Sequence, residues 1–300
     1  MVRPASFGFN PESAATNRFQ HDRSDDGNAH ETAIVEFDGM VTALRSEGIQ
    51  VCVVEDAPVP RKPDAVFPNN WLSWHADGTL VLYPMQPASR RPERSEAVIA
   101  AVVKQCGFEV KRRVDLTMRE REQRYLEGTG SLVLDHINRL AYACRSARTD
   151  EALTVEWCDL LGYTPMVFDA ADAGGVPYYH TNVMLWIGER VACVATEAIA
   201  AADRRRVHDS LATTGRHLIE LSRDDIAQFA GNMLELASWD EALGDCRVIV
   251  MSATAQTALG AERLARLAAC TDAVLAVPVP AIERYGGGSV RCMLAEVFLR

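Results

Sequence analysis

Short apolar runs recur along the chain between polar and glycine-containing stretches: residues 48–55, 79–85, 130–135, 139–145, 165–170, 183–188, 190–195, 247–252 and 272–280. Their brevity and their valine, isoleucine and leucine content predict β-strands. Helix-like segments lie between them, over residues 31–47, 94–106, 150–161, 198–213 and 254–269. Asp150 and Thr254 stand where helix N-caps belong, at the polar edge of such a segment. Strands interleaved with helices throughout predict an α/β chain. Two pairs of runs, 130–135 with 139–145 and 183–188 with 190–195, are separated by only a few residues and predict hairpins around "HIN" and "GE". Parallel neighbours need long crossovers, so a purely parallel doubly wound sheet does not fit this spacing.

A longer period underlies these elements. Asn70-Trp-Leu, Asn182-Val-Met-Leu, Asn232-Met-Leu and Cys292-Met-Leu each place a polar residue ahead of strand-like residues, and Glu127 falls between the first two. From 70 to 127, 180, 232 and 292 the intervals are 57, 53, 52 and 60 residues, each long enough for one hairpin and one helix. Five such modules would bring Asn70, Glu127, His180, Asn232 and Cys292 to one shared centre.

Composition narrows the class. The 300 residues are 48% hydrophobic, enough to bury a large core. A formal charge of −10 argues against a nucleic-acid or anionic-membrane partner, which would need a basic face. The basic runs Arg90, Arg91, Arg94 and Lys111, Arg112, Arg113 read as solvated faces. The N-terminal stretch turns polar early without an apolar signal core, and no uncharged apolar run reaches the ~20 residues of a spanning helix. Eight cysteines are scattered with no C-x-x-C and no Cys/His pair at ligand spacing. A zinc site and a disulfide framework are therefore not expected, and reducing cytoplasm is the expected compartment.

The chemistry gathers near the C-terminus, in "RYGGGSVRCMLAEVFL". Glycine serves where backbone takes positive φ or passes close to another group. Cys292 behind three glycines reads either as a buried small hydrophobe after a flexible turn or as a nucleophile against a wall of bare backbone. A thiol near its free pKa of ~8.5 needs activation, and histidine with a carboxylate supplies it. His180, in "PYYHTNVML", and Glu127, in "YLEGTGSLVLD", offer those groups. Alone, each has an ordinary structural reading. The G-x-G of "GTGSLV" lacks its third glycine, Val133 standing there, and a strand follows, so it is no dinucleotide fingerprint.

"DAVFPNNW", "LEGTGSLVLD", "SART", "HTN", "GNMLEL" and "GGGSVRCM" occur in that order, after "RPASFGFNPESAATNRFQ" at the start. Together they resemble the guanidino-group-modifying enzymes, or penteins: arginine deiminases, dimethylarginine hydrolases and amidinotransferases. The branch of citrulline-utilisation hydrolases is the nearest in likeness. The resemblance spans nearly the whole chain and implies a single catalytic domain over 1–300. Its fold would be a five-bladed α/β propeller with the active site on the pseudo-fivefold axis, and its last element, from Cys292, would be a strand. It implies Cys292 as nucleophile, His180 as general acid/base and Glu127 as the carboxylate paired with histidine. It also implies Arg148 as a partner for a substrate carboxylate, with Arg145 and Arg18 as further candidates. Asn70, Asn182, Asp64, Phe67 and Asn232 complete the expected substrate-binding set, without metal or cofactor.

Two positions depart from that family's pattern. Aspartates that bind a cationic guanidinium are replaced by Asn70, in "FPNN", and Asn182, in "HTN". A carboxylate only accepts, whereas an amide also donates and can serve a carbonyl oxygen. The expected reaction is hydrolysis of a ureido or guanidino amino acid, citrulline foremost, to ornithine, ammonia and carbon dioxide. An arginine deiminase, dihydrolase or amidinotransferase of the same fold is the alternative, and a non-catalytic propeller used for binding is the other.

Overall fold

Each apolar run finds its place as one strand of a small sheet. The computed structural model describes residues 1–22 and 28–298. Among them, β1 (Val2–Arg3) and β2 (Val54–Glu55) form a parallel pair. Four three-stranded sheets follow along the chain: β3 (Leu72–Trp74), β4 (Thr79–Leu82) and β5 (Arg112–Asp115); β6 (Val133–Asp135), β7 (Leu140–Cys144) and β8 (Thr164–Phe168); β9 (Leu185–Ile187), β10 (Val191–Val194) and β11 (His217–Glu220); β12 (Leu234–Asp240), β13 (Gly244–Ser252) and β14 (Ala273–Val277). In every one, the first two strands are an antiparallel hairpin, and a helical crossover brings the third in parallel to the second. The hairpins expected around "HIN" and "GE" are β6–β7 and β9–β10.

The β1–β2 unit has the crossover, helix Ala29–Ser46, but no hairpin partner. Ala295 and Val297 pack into one cluster with Val2 and Val54, so the chain after Cys292 fills the place of that missing first strand. The result is a five-bladed α/β propeller in which the end of the chain closes on its beginning.

Local chemistry explains the crossovers. Helix Glu151–Leu161 begins at Asp150, whose side chain accepts from the Leu153 N–H, and ends at Gly162 with φ 72°. Leu153, Trp157 and Leu161 lie four residues apart on one face and are buried against their own sheet. The other expected helices appear as Ala29–Ser46, Glu96–Cys106, Ala201–Ala212 and Ala253–Ala268. Thr254 is not a cap: Ser252 accepts from the Ala255 N–H instead, because β13 runs directly into the helix.

Strand bounds differ where turns compete. Residues 48–55 yield only β2, and the run from 130 starts late because Gly128–Ser131 forms a helical turn. Val290–Met293 is a 3₁₀ turn, so Cys292 does not begin a strand; extended backbone starts at Leu294. The strands β5 and β11 are edge strands with one buried residue each, Val114 and Ile219, and carry no continuous apolar run.

Candidate active site

Five tight turns, each just before the first strand of a blade, carry the residues singled out by the long period. Pro68–Asn70, the turn after Glu127, Thr181–Val183 after His180, the turn closed by Asn232 N–H to the Phe229 carbonyl, and Val290–Met293 meet at the propeller axis. Asn70, Glu127, His180, Asn182, Asn232 and Cys292 are all 3% exposed or less. Gly130 permits this convergence, since a Cβ there would sit 2.6 Å from both Asn70 Nδ2 and His180 Nδ1.

Glu127 is the electrostatic hub. Its Oε2 accepts from His180 Nε2 at 2.9 Å and from Arg148 Nη1 at 3.3 Å, and its Oε1 accepts from the Gln86 N–H at 2.9 Å. Burial alone would raise its pKa, but Arg148 and His180 outweigh burial and hold it at about 2. An ionised carboxylate only accepts, so the proton of His180 sits on Nε2. Burial lowers His180 to about 4 despite the pull of Glu127, which keeps the imidazole neutral near pH 7.

Cys292 is held differently from the expected imidazole contact. Its Sγ accepts from Asn232 Nδ2 at 3.3 Å and Asn182 Nδ2 at 3.5 Å. Among the described residues no hydrogen bond joins it to His180, although both line one cavity. Asn232 is fixed in turn, its Oδ1 accepting from the Arg291 N–H at 3.0 Å. Both donors to the sulfur are neutral amides.

The rest of the predicted set is placed as follows. Asn70 lines the cavity with its Oδ1 bound by Arg90 Nη1 at 2.8 Å, while its Nδ2 is buried without a partner. Phe67 lies against Gly286 and Gly288. Asp64 accepts from Asn10 Nδ2 at 2.7 Å, Ser13 Oγ at 2.7 Å and Gln20 Nε2 at 3.1 Å, anchoring the N-terminal segment over the site. Arg148 is buried, donating to Thr16 Oγ1 at 2.9 Å and the Ser13 carbonyl at 2.6 Å besides Glu127. Arg18 and Arg145 pair elsewhere, with Asp172 and with Glu151, and neither lines the cavity. Asn182 touches the sulfur but lies on the wall of a second cavity.

Sequence reasoning missed Arg90, Glu93 and Tyr179. Arg90 is not on a solvated face: it is buried, with Nε and Nη2 each 2.8 Å from a Glu93 carboxylate oxygen. Against the cost of burial, Glu93 lifts this guanidinium above its ordinary range. In "ASRRPERS" nothing separates the one buried arginine from its neighbours. Tyr179 donates to the Gly287 carbonyl at 2.6 Å and lies against the His180 ring. Gly287 takes φ 61°, where a Cβ would meet Asn17 and Gln20 at 2.6 Å, which accounts for the glycine run. The space left among these groups holds about one water molecule. Among the described residues no group of His, Cys, Asp and Glu is arranged to hold a metal ion, and no helix is long and apolar enough to cross a membrane.

A propeller whose axis collects cysteine, histidine and glutamate defines a pentein, a guanidino-group-modifying enzyme. A family model described as "N,N dimethylarginine dimethylhydrolase, eukaryotic" matches residues 3–299, and the chain belongs to that family. Among solved structures, the substrate-bound N-terminal domain of ArgZ, a cyanobacterial arginine dihydrolase, is similar at TM-score 0.71 and 19% identity, covering 100% of this chain and 98% of that one. Full-length ArgZ is matched over 40% of its length, so this chain spans well under half of that protein. A dimethylarginine dimethylaminohydrolase adduct with S-methyl-L-thiocitrulline matches at TM-score 0.66 and 15% identity, over 97% of this chain and 96% of that one. A search of curated protein sequences returned no match.

Proposed function

We propose that residues 1–300 form one catalytic domain that hydrolyses a ureido amino acid, citrulline, to ornithine, ammonia and carbon dioxide. The observation that carries this reading is the orientation of Asn70. Arginine can only donate, so Arg90 fixes Asn70 Oδ1 toward itself and leaves Nδ2, buried and unpartnered, at the other side of the amide, near Gly130 and His180 Nδ1. A ureido oxygen accepts from such a donor, whereas a guanidinium has no acceptor to offer.

Cys292 Sγ attacks the ureido carbon, and the thiol proton passes through His180 to the departing nitrogen. Collapse of the tetrahedral intermediate breaks the C–N bond and leaves a thiocarbamoyl enzyme. His180 then takes a proton from water, whose oxygen attacks the same carbon and releases the thiol with a carbamate or carbamic acid. Loss of carbon dioxide gives the second amine product, so one water balances ornithine, ammonia and carbon dioxide. Glu127 holds the imidazole in place through Nε2. All eight cysteines are unpaired, which supports a reducing compartment such as the cytoplasm.

A second reading, arginine as substrate for a deiminase or dihydrolase, is supported by charge. Around the cavity the carboxyls of Asp64, Glu93 (pushed up to about 7 by burial) and Glu127 pair with Arg90 and Arg148 among the described residues, and the structural likeness includes an arginine dihydrolase. Incubating the protein separately with citrulline, arginine and dimethylarginine, and measuring ornithine, citrulline and ammonia, separates the two. Ornithine from citrulline at a kcat/KM above that for arginine is the expected result. A tenfold or greater preference for arginine overturns it.

A further inference from the structure

Glu283 carries a buried carboxyl that the mechanism does not use. It is 5% exposed and lies in Ile282–Gly286, a π-helical turn of the kind frequent at functional sites, which leads into the glycine run. Both of its oxygens are taken by hydroxyls. Oε1 accepts from Ser289 Oγ at 2.6 Å, and Oε2 accepts from Thr254 Oγ1 at 2.7 Å. Its main-chain carbonyl accepts from the Gly287 N–H at 2.9 Å. Thr254 lies in the first turn of helix Ala253–Ala268, and Ser289 immediately precedes the turn Val290–Met293 that holds Cys292. One side chain thus ties the crossover helix of the β12–β14 blade to the loop of the nucleophile.

Ser289 is suited to this link by its hydroxyl. Its backbone, at φ −125° and ψ −161°, is extended and open to any residue, and the side chain is fully buried. A serine in this place ordinarily caps the turn that follows, but here it makes no such bond and its hydroxyl goes to Glu283 instead. Its carbonyl accepts from the Cys292 N–H at 2.9 Å. The loop passes close over the thiol, since a Cβ on Gly288 would lie 3.3 Å from Cys292 Cβ. On its other side, Tyr179 donates to the Gly287 carbonyl at 2.6 Å. The loop that sets Cys292 is therefore held from the β12–β14 blade by Glu283 and from beside His180 by Tyr179. Among the described residues no hydrogen bond joins Glu283 to Asn70, Asp64 or Arg148.

We propose that Glu283 is a positioning residue for Cys292, acting through Ser289 to hold the sulfur where attack requires it. The proposal rests on Cys292 being the nucleophile, and not on which substrate it attacks. A misplacement of about 1 Å at a reacting atom costs about a hundredfold in rate. The groups assigned to substrate binding keep their own contacts, so kcat bears the loss and KM does not.

Kinetics are run on whichever of citrulline and arginine the native protein turns over. Glu283→Ala should lower kcat about a hundredfold with KM within about threefold of native. Glu283→Gln keeps an acceptor for one hydroxyl and offers a donor to the other, so its kcat should return to within about tenfold of native. Ser289→Ala cuts the link without touching the Thr254 contact and should show the same split between kcat and KM, which decides the matter should Glu283→Ala fold poorly. Because the two residues act as one unit, the double variant should be no slower than the slower single one. Alkylation of Cys292 by iodoacetamide, read by mass spectrometry, needs no substrate. Release of the loop should speed it at least about threefold in Ser289→Ala. If the native protein turns over neither substrate, the hydrolase reading fails and the alkylation rate alone decides the role of Glu283. Native kcat or native alkylation in Ser289→Ala, losses that multiply in the double variant, or a glutamine variant as slow as the alanine one overturns the proposal.

Discussion

Replacing Asn70 by aspartate asks whether a single cavity donor sets the substrate. In the native site Arg90 Nη1 holds Asn70 Oδ1 at 2.8 Å, and Nδ2 is buried unpaired. In Asn70→Asp one carboxylate oxygen keeps the Arg90 contact and the other presents an acceptor where a donor stood. For a ureido oxygen, an acceptor then meets an acceptor, and the buried group left unpaired costs about 1–3 kcal/mol. For a guanidinium, a charge-assisted hydrogen bond is gained, worth about 1.5–3 kcal/mol. At about 1.4 kcal/mol per factor of ten, the citrulline-to-arginine ratio of kcat/KM should fall by roughly 10²- to 10⁴-fold. Steady-state kinetics on both substrates, with native and variant protein measured side by side, gives that ratio directly. A ratio unchanged within about threefold would refute the reasoning, because the donor would then not touch the group that distinguishes the substrates.

Cys292→Ser should lower turnover by at least about a thousandfold with a near-native Tm, and residual activity of a few per cent would exclude covalent catalysis by this thiol. His180→Ala should slow formation and breakdown of the intermediate together, and mass spectrometry of the peptide holding Cys292 should find a thiocarbamoyl adduct; native rates would remove His180 from the mechanism. Asn182→Asp sets a carboxylate against the sulfur, so kcat should fall for every substrate alike, and a change of preference instead would assign that amide to substrate recognition. Acid should unfold the protein through Glu127 and His180, held at about 2 and about 4 against ordinary values of 4.5 and 6.5. Both are depressed, so the unfolded chain binds more protons, and stability is full above pH 6.5 and falls as pH drops toward 2. Urea midpoints across that range should show the decline, and Glu127→Gln should flatten its lower half; a midpoint independent of pH would contradict the assigned charges.

The central strands were legible because they are buried on both faces and therefore apolar throughout, as in Val191–Val194. Edge strands such as Arg112–Asp115 show the core one side chain and left no signal. The five axial residues were legible through their spacing, since each blade repeats a polar turn before its first strand. What each axial residue binds was not legible. Nothing in "RRPER" marks Arg90 as the group that orients Asn70, and nothing in "HTN" says that Asn182 points its N–H groups at a sulfur 110 positions away. Such contacts depend on how blades meet, and residues far apart in sequence decide that.

The separation of thiol and imidazole has a consequence for when the nucleophile is made. His180 Nε2 is tied to Glu127 and Cys292 Sγ to two amides, so among the described residues no hydrogen bond joins the proposed base to the proposed nucleophile. The remaining ring nitrogen, Nδ1, is the basic one and stands beside Asn70 Nδ2 at Gly130. In the proposed mechanism, proton transfer from Cys292 therefore accompanies attack and does not precede it. Burial keeps other electrophiles from a thiol that is 2% exposed. The fivefold frame makes this arrangement available because Cys292 and His180 arrive on different blades, fixed by turns that share no backbone hydrogen bond among the described residues.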